Sequence, residues 1–164
     1  MGNEVKPIKR SKELAPLSRE HHDGLLCIWK IRQGLKNNTP LETLRRFTLF
    51  YWHHHIKPHF SQEEKILAPK MPEGHPLTDR LKGEHAHIRE LILQIDKETE
   101  RQTFAIFCDL IDKHIRFEER EFFVFLESHL NKEQLAEIYE QLVKNPLSCE
   151  PEPAWNDEFW LAKK

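Results

Sequence analysis

The 164-residue chain carries 25 Lys and Arg against 27 Asp and Glu, a formal net charge of −2, so it offers no basic field to draw nucleic acid or anionic lipid. With 38% hydrophobic and 32% charged residues, the balance is that of a soluble globular domain with one modest core. Only 5 glycines accompany 11 histidines: the first number fits helices with short connections, and the second raises the question of a metal, since imidazole is the commonest protein metal ligand.

Residues 1–16 read as an irregular arm, and its basic run, residues 6–12, as solvated. The first 17 residues lack the apolar core of a signal peptide. A first helix is expected over 17–36, ending before Asn37-Asn38-Thr39-Pro40. Thr39 can cap the next helix with Pro40 at its first position. That helix covers 41–67 and should kink at Pro58, which lacks a backbone donor. Pro69, Pro72, Gly74 and Pro76 mark a loop. A third helix follows over 77–97 and a fourth over 101–127. Asn131 with Gln134 forms a capping-box pattern that opens a short fifth helix, reaching residue 144. The tail, residues 146–164, carries Trp155, Phe159 and Trp160, more aromatics than a disordered tail holds, so it should pack on the bundle. No segment alternates with period two, and none is apolar enough to span a bilayer. The expected fold is an all-α, antiparallel up-down-up-down four-helix bundle over residues 17–145. Cys27, Cys108 and Cys149 are an odd set without a secretion signal. They read as reduced thiols in the cytoplasm, with Cys27 and Cys108 as small buried side chains.

The chemistry lies on the apolar stripes. On the fourth helix Phe104, Phe107, Ile111, His114, Glu118 and Phe125 share one face. A buried unpaired carboxylate costs several kcal/mol or is forced to protonate, and no Lys or Arg occupies that stripe. On the second helix Leu49, Trp52, Ile56, His59, Glu63 and Ile66 repeat the arrangement: a histidine and a glutamate one turn apart on an apolar face. The first helix places His21 near the centre of its stripe, with His22 one step around it. The third places His85 towards one edge. Four imidazoles and two carboxylates are too many for one tetrahedral ion and natural for two ions bridged by both carboxylates. Mixed nitrogen and oxygen donors without cysteine favour iron or manganese over structural zinc.

Four texts occur in order: Leu17-Ser-Arg-Glu-His21-His22; His59-Phe-Ser-Gln-Glu63-Glu64 running on to Pro69; Glu84-His85 followed by Ile88-Arg89; and His114-Ile-Arg-Phe-Glu118-Glu119. Together they resemble the hemerythrin-like, or HHE cation-binding, family over residues 14–129. The resemblance implies an antiparallel four-helix bundle with a non-haem di-iron centre and a bridging oxo or hydroxo group. Its ligands here would be His21, His59, Glu63, His85, His114 and Glu118, with Glu63 and Glu118 as the bridges. Such proteins carry, sense or respond to dioxygen, nitric oxide or peroxide, or handle iron. Oxygen carriers of the family have a second histidine on the third helix, where Arg89 stands here, and a bridging aspartate where this chain has Glu118, or Glu119. His55, one turn before His59, is a candidate for the missing position or for a supporting role. His22 stays open as an alternative to His21. Glu64 and Glu119 read as solvated, or as partners that orient a histidine; the Glu84-x-x-His87 motif reads as surface.

The sequence shows no organic-substrate or cofactor motif, which favours a binding or sensing module, with an unknown protein partner for any output, over a dedicated metabolic enzyme. A di-iron oxidase, peroxidase or iron-donating stress protein is the second reading. A structural site holding a single ion, zinc included, is the third.

Overall fold

The computed structural model describes residues 9–144 and 155–161. Among them every regular element is helical, and no helix is long and apolar enough to cross a membrane. Helix α1 spans Ala15–Lys36, with Pro16 in its first turn, where a missing donor costs nothing. Asn38 closes the helix in the left-handed region, φ 55°. Thr39 N–H donates to the Gly34 carbonyl at 2.9 Å and Asn38 N–H to Leu35 at 3.3 Å, the Schellman arrangement. The expectation that Thr39 caps the next helix is therefore corrected. Thr39 is used to end α1, Pro40 is extended at φ −53°, ψ 134°, and the next helix opens at Leu41 without a side-chain cap.

Helix α2 is a continuous run over residues 41–67: α-helix Leu41–Tyr51, a π turn Trp52–Ile56, α-helix Lys57–Gln62 and a second π turn Glu63–Leu67. It runs through Pro58, with the wide turn immediately before it. Helix α3 spans Pro76–Lys97 and is capped by His75, whose Nδ1 accepts from Leu77 N–H at 3.1 Å. Helix α4 covers residues 101–129: α-helix Arg101–Phe117, a π turn Glu118–Phe122 and α-helix Phe123–His129. Helix α5 spans Lys132–Lys144. Its capping box is reciprocal: Gln134 N–H donates to Asn131 Oδ1 at 2.8 Å, and Asn131 N–H to Gln134 Oε1 at 3.0 Å.

The π turns explain two departures from the expected stripes. Each adds about one residue to a turn, and one residue is about 100° of helix. Stepping back from His59 in fours and threes selects Trp52 and Leu49, yet these are only half-buried, and Leu44, Phe47 and Thr48 face the core instead. Stepping forward from Glu118 selects Phe125, yet Phe122, Phe123, Leu126 and Leu130 are buried and Phe125 lies at the edge.

Helices α1 and α2, α2 and α3, α3 and α4, and α4 and α1 pack on one another, and α5 lies against the end of α2. The buried apolar side chains form two separate clusters. One holds Ile28, Ile31, Phe47, Ile88, Phe104 and Ile111; the other holds Leu17, Leu67, Leu81, Phe117, Phe122 and Leu126. In every long helix the buried histidine or glutamate lies between the two sets.

Both ends of the described chain pack onto this frame. Arg10, expected in a solvated arm, is nearly covered: it pairs with Glu119 at 2.9 Å and Glu127 at 2.5 Å. Ser11 N–H adds a bond to Glu127. At the other end Phe159 joins the first cluster, 5.0 Å from the Phe47 ring. It lies against Gly34, where an added Cβ would come within 2.8 Å of its ring. Cys27 and Cys108 are buried free thiols, and burial pushes the Cys108 thiol up to about 12; Cys149 lies outside the described residues. Truncating Phe159 to alanine removes a buried aromatic from the core, so denaturant unfolding should show a loss of about 3 kcal/mol. An unchanged midpoint would mean that the contact contributes nothing in solution.

Candidate metal centre

Glu63, His85 and Glu118 are fully buried, and His21, His59 and His114 nearly so. Two overlapping groups bring their ligand atoms within 4.8 Å of one another: His21, His59, Glu63 and Glu118; and Glu63, His85, His114 and Glu118. Each group holds two imidazoles and two carboxylates, and both glutamates belong to both groups. All four imidazoles turn Nε2 inward. His21 Nε2 lies 2.8 Å from Glu118 Oε2 and 3.2 Å from His59 Nε2. Nε2 of His85 lies 3.1 Å from that of His114. Glu63 Oε1 sits 3.3 Å from both His59 and His85, and His114 Nε2 contacts Glu118 directly.

The other ring nitrogen, Nδ1, faces outward to a second glutamate. His21 meets Glu119 at 2.7 Å, His59 meets Glu20 at 2.5 Å, and His114 meets Glu84 at 2.8 Å. His85 Nδ1 lies 3.4 Å from Glu64, close enough to pair electrostatically but without hydrogen-bond geometry. A carboxylate can only accept, so a bond to it requires Nδ1–H and leaves the Nε2 lone pair for the interior. The outer glutamates are themselves held. Arg10 and the Ser18 hydroxyl bond Glu119, Arg89 bonds Glu64 at 2.8 Å, and Arg80 bonds Glu84 at 2.8 Å.

Electrostatics report the same demand for positive charge. Burial opposes protonation of each imidazole, but the surrounding carboxylates outweigh it. His21 and His85 are raised, His59 is raised well above its usual value, and His114, facing Glu118, is raised to about 10. Burial also works against ionisation of Glu118, yet the His114 and His21 imidazoles beside it hold it well below the carboxylate range. The outer Glu64, Glu84 and Glu119 are lowered in the same way, against burial, by bonds to Arg89, His114 and His21. Both oxygens of Glu63 are buried without a hydrogen-bond partner among the described residues. No lysine or arginine ion pair reaches Glu63 or Glu118 among the described residues. An orphaned buried carboxylate surrounded by imidazoles fits a cationic metal.

The remaining candidates sort by position. His22 is exposed, and His21 occupies the cluster. His55 is in neither group; it belongs to the π turn before His59, and its ring stacks on Tyr51 at 4.4 Å. Glu119 faces outward, leaving Glu118 in the shared position. Glu84, read as surface, instead orients His114, whereas His87 is exposed. Sequence reasoning passed over Glu20. The signal for it was adjacency: Glu20-His21 has the form of Glu84-His85.

The chain is thus a helical protein built around a buried histidine–glutamate cluster able to hold metal cations. The model of the family described as the hemerythrin HHE cation binding domain matches residues 17–126, and the chain belongs to that family. No curated protein and no solved structure matches it.

Replacing Glu84 by alanine frees the His114 ring, and metal affinity measured by competition with a chelator should fall about 10–100-fold; unchanged affinity would deny Glu84 an orienting role. Metal-stripped protein should show a distinctive pH dependence. His114 rises from 6.5 to about 10 on folding, so its stabilisation is complete below the unfolded value and is lost as pH climbs through the folded one. The unfolding midpoint of stripped protein should therefore fall between pH 6.5 and 10. Metal-loaded protein should not follow, because deprotonation favours metal binding.

Proposed function

We propose that residues 17–145 form an antiparallel four-helix bundle that holds a non-haem di-iron centre and binds dioxygen, nitric oxide or peroxide. The observation that carries this reading is the pair of four-ligand groups sharing Glu63 and Glu118. Two ions with both carboxylates as bridges would each receive two imidazole nitrogens and two oxygens, leaving positions open to a small ligand. His21 and His59 would serve one ion, His85 and His114 the other. Iron bound there would supply reversible coordination or electron transfer to that ligand.

Alternating helix direction draws support from the outer glutamates. They precede the inner residue on α1 and α3 (Glu20 before His21, Glu84 before His85) and follow it on α2 and α4 (Glu64 after Glu63, Glu119 after Glu118). Yet each reaches the next helix in the same cyclic order, from α1 to α2, α3, α4 and back to α1. A step of minus one on one helix and plus one on its neighbour turn the same way about the bundle only if the helices run in opposite directions. Arg89, where the family's oxygen carriers place a histidine, is committed to Glu64. That leaves one ion short of a fifth imidazole and favours sensing or redox turnover over reversible carriage. A cytoplasmic location is part of this reading; no helix among the described residues is long and apolar enough to cross a membrane.

Metal analysis of protein purified without added metal should give about two irons per chain, and Glu118→Ala should lose at least one of them. One zinc per chain, or full metal content in the variant, would overturn the assignment. On exposure of the reduced protein to air, an absorption band reversible under vacuum marks sensing or carriage, and irreversible oxidation with peroxide release marks redox turnover.

A further inference from the structure

Beside the imidazole layer lies a cavity of about 40 Å³. Its floor is His21, His59 and His114, and its walls include Gly24, Ile111 and Ile115. His85 does not line it. Phe60, which does, stacks face to face on the His85 ring at 3.7 Å and 10°, covering the fourth imidazole from this side. One water needs about 10–15 Å³ of such space, so the chamber has room for one molecule of two or three heavy atoms. A second, more open cavity of about 160 Å³ shares Asp23, Tyr51 and His55 with it, which places those side chains at the mouth between α1 and α2.

Gly24 is buried in the interior of α1, where glycine costs about 1 kcal/mol relative to alanine. Its backbone does not require glycine, because Gly74 is the glycine with positive φ among the described residues. What Gly24 contributes is space. An added Cβ would stand 3.2 Å from Ile115 Cδ1, with no other neighbour within 4 Å among the described residues, so it would project at the wall of the chamber.

We propose that this chamber receives the small ligand of the metal centre, that Gly24 sets its size, and that the stacked Tyr51–His55 pair forms its entrance. The inference rests on the reading of the centre given above. The mouth is polar and the walls are apolar, so a small ligand with hydrogen-bonding ends, such as peroxide or azide, would pass the Tyr51 phenol and the His55 imidazole and reach the apolar walls beside the imidazoles. His55 belongs to the π turn Trp52–Ile56 and stacks on Tyr51 at this mouth.

The test uses iron-loaded full-length protein and azide, followed by stopped-flow absorbance, together with xenon binding to crystals under pressure, which reads the cavity without reference to the metal. Wild type should bind xenon in the chamber. Gly24→Leu should keep its iron, lose the xenon site and slow azide association at least tenfold, and Gly24→Ala should fall between the two. Tyr51→Ala should speed association at least threefold. Azide entering Gly24→Leu at the wild-type rate, with iron content intact, overturns this inference alone. If that variant does not fold, a wild-type rate in Gly24→Ala together with no xenon in the wild-type chamber overturns it equally. No azide band in wild type overturns the reading of the centre and this inference with it.

Discussion

Two buried carboxylates, Glu63 and Glu118, sit at the centre of the molecule without a lysine or arginine among the described residues to neutralise them, and the rest of the architecture answers that fact. Burial of an ionised carboxylate costs several kcal/mol even after relaxation. The chain meets the cost in part by surrounding the pair with four imidazoles, all pushed toward protonation. The apolar core is consequently divided, with one cluster on each side of the polar layer. Hydrophobic burial in the two clusters stabilises the helices, and the layer between them is left as the place where a cation offsets an electrostatic debt.

Around this layer the four outer glutamates form a closed circuit. Each stands next in sequence to an inner residue and turns to the neighbouring helix, because one residue is about 100° of helix. One residue of each adjacent pair can therefore face inward while the other faces sideways. The circuit ties α1 to α2, α2 to α3, α3 to α4 and α4 to α1, and the cations Arg89, Arg80 and Arg10 hold three of its members ionised. Arg10 extends the circuit into the segment before α1, since it reaches Glu119 and Glu127 together. Charge-assisted bonds to partly buried groups are stronger than neutral ones, so this segment is anchored where composition alone suggests a solvated arm.

Much of this was legible in the sequence. The spacing of four between His59 and Glu63, and between His114 and Glu118, is a property of one helix and can be counted. What a residue meets on another helix cannot. Glu20 was passed over and Glu84 looked like a surface acid because their partners, His59 and His114, lie 39 and 30 residues away. Arg89 looked like a lost ligand because its bond to Glu64 crosses between helices. Periodicity failed at Leu49, Trp52 and Phe125 for a different reason: stepping by 3.6 residues assumes an uninterrupted α-helix, and each π turn moves the downstream face on by about one residue. Two of these turns begin at Glu63 and Glu118 themselves, in keeping with the tendency of π turns to fall at functional sites.

The polar layer also bears on register. Apolar side chains of similar volume exchange places in a core at little cost, so two clusters rich in Leu, Ile and Phe would tolerate a helix displaced by one turn. The layer would not. Moving α2 by four residues toward its C-terminal side would bring Glu63 into the place of Leu67 and set the carboxylate against aliphatic neighbours, unpaired and still buried. His59 would lose Glu20, and His85 would lose Glu64. Each such loss costs more than the apolar contacts regained, because an unpartnered buried charge is worth several kcal/mol. The same groups that make the centre suited to a cation therefore also fix which residues of the four helices lie at one level, and the shared level of Glu63 and Glu118 is what allows both to belong to both ligand groups.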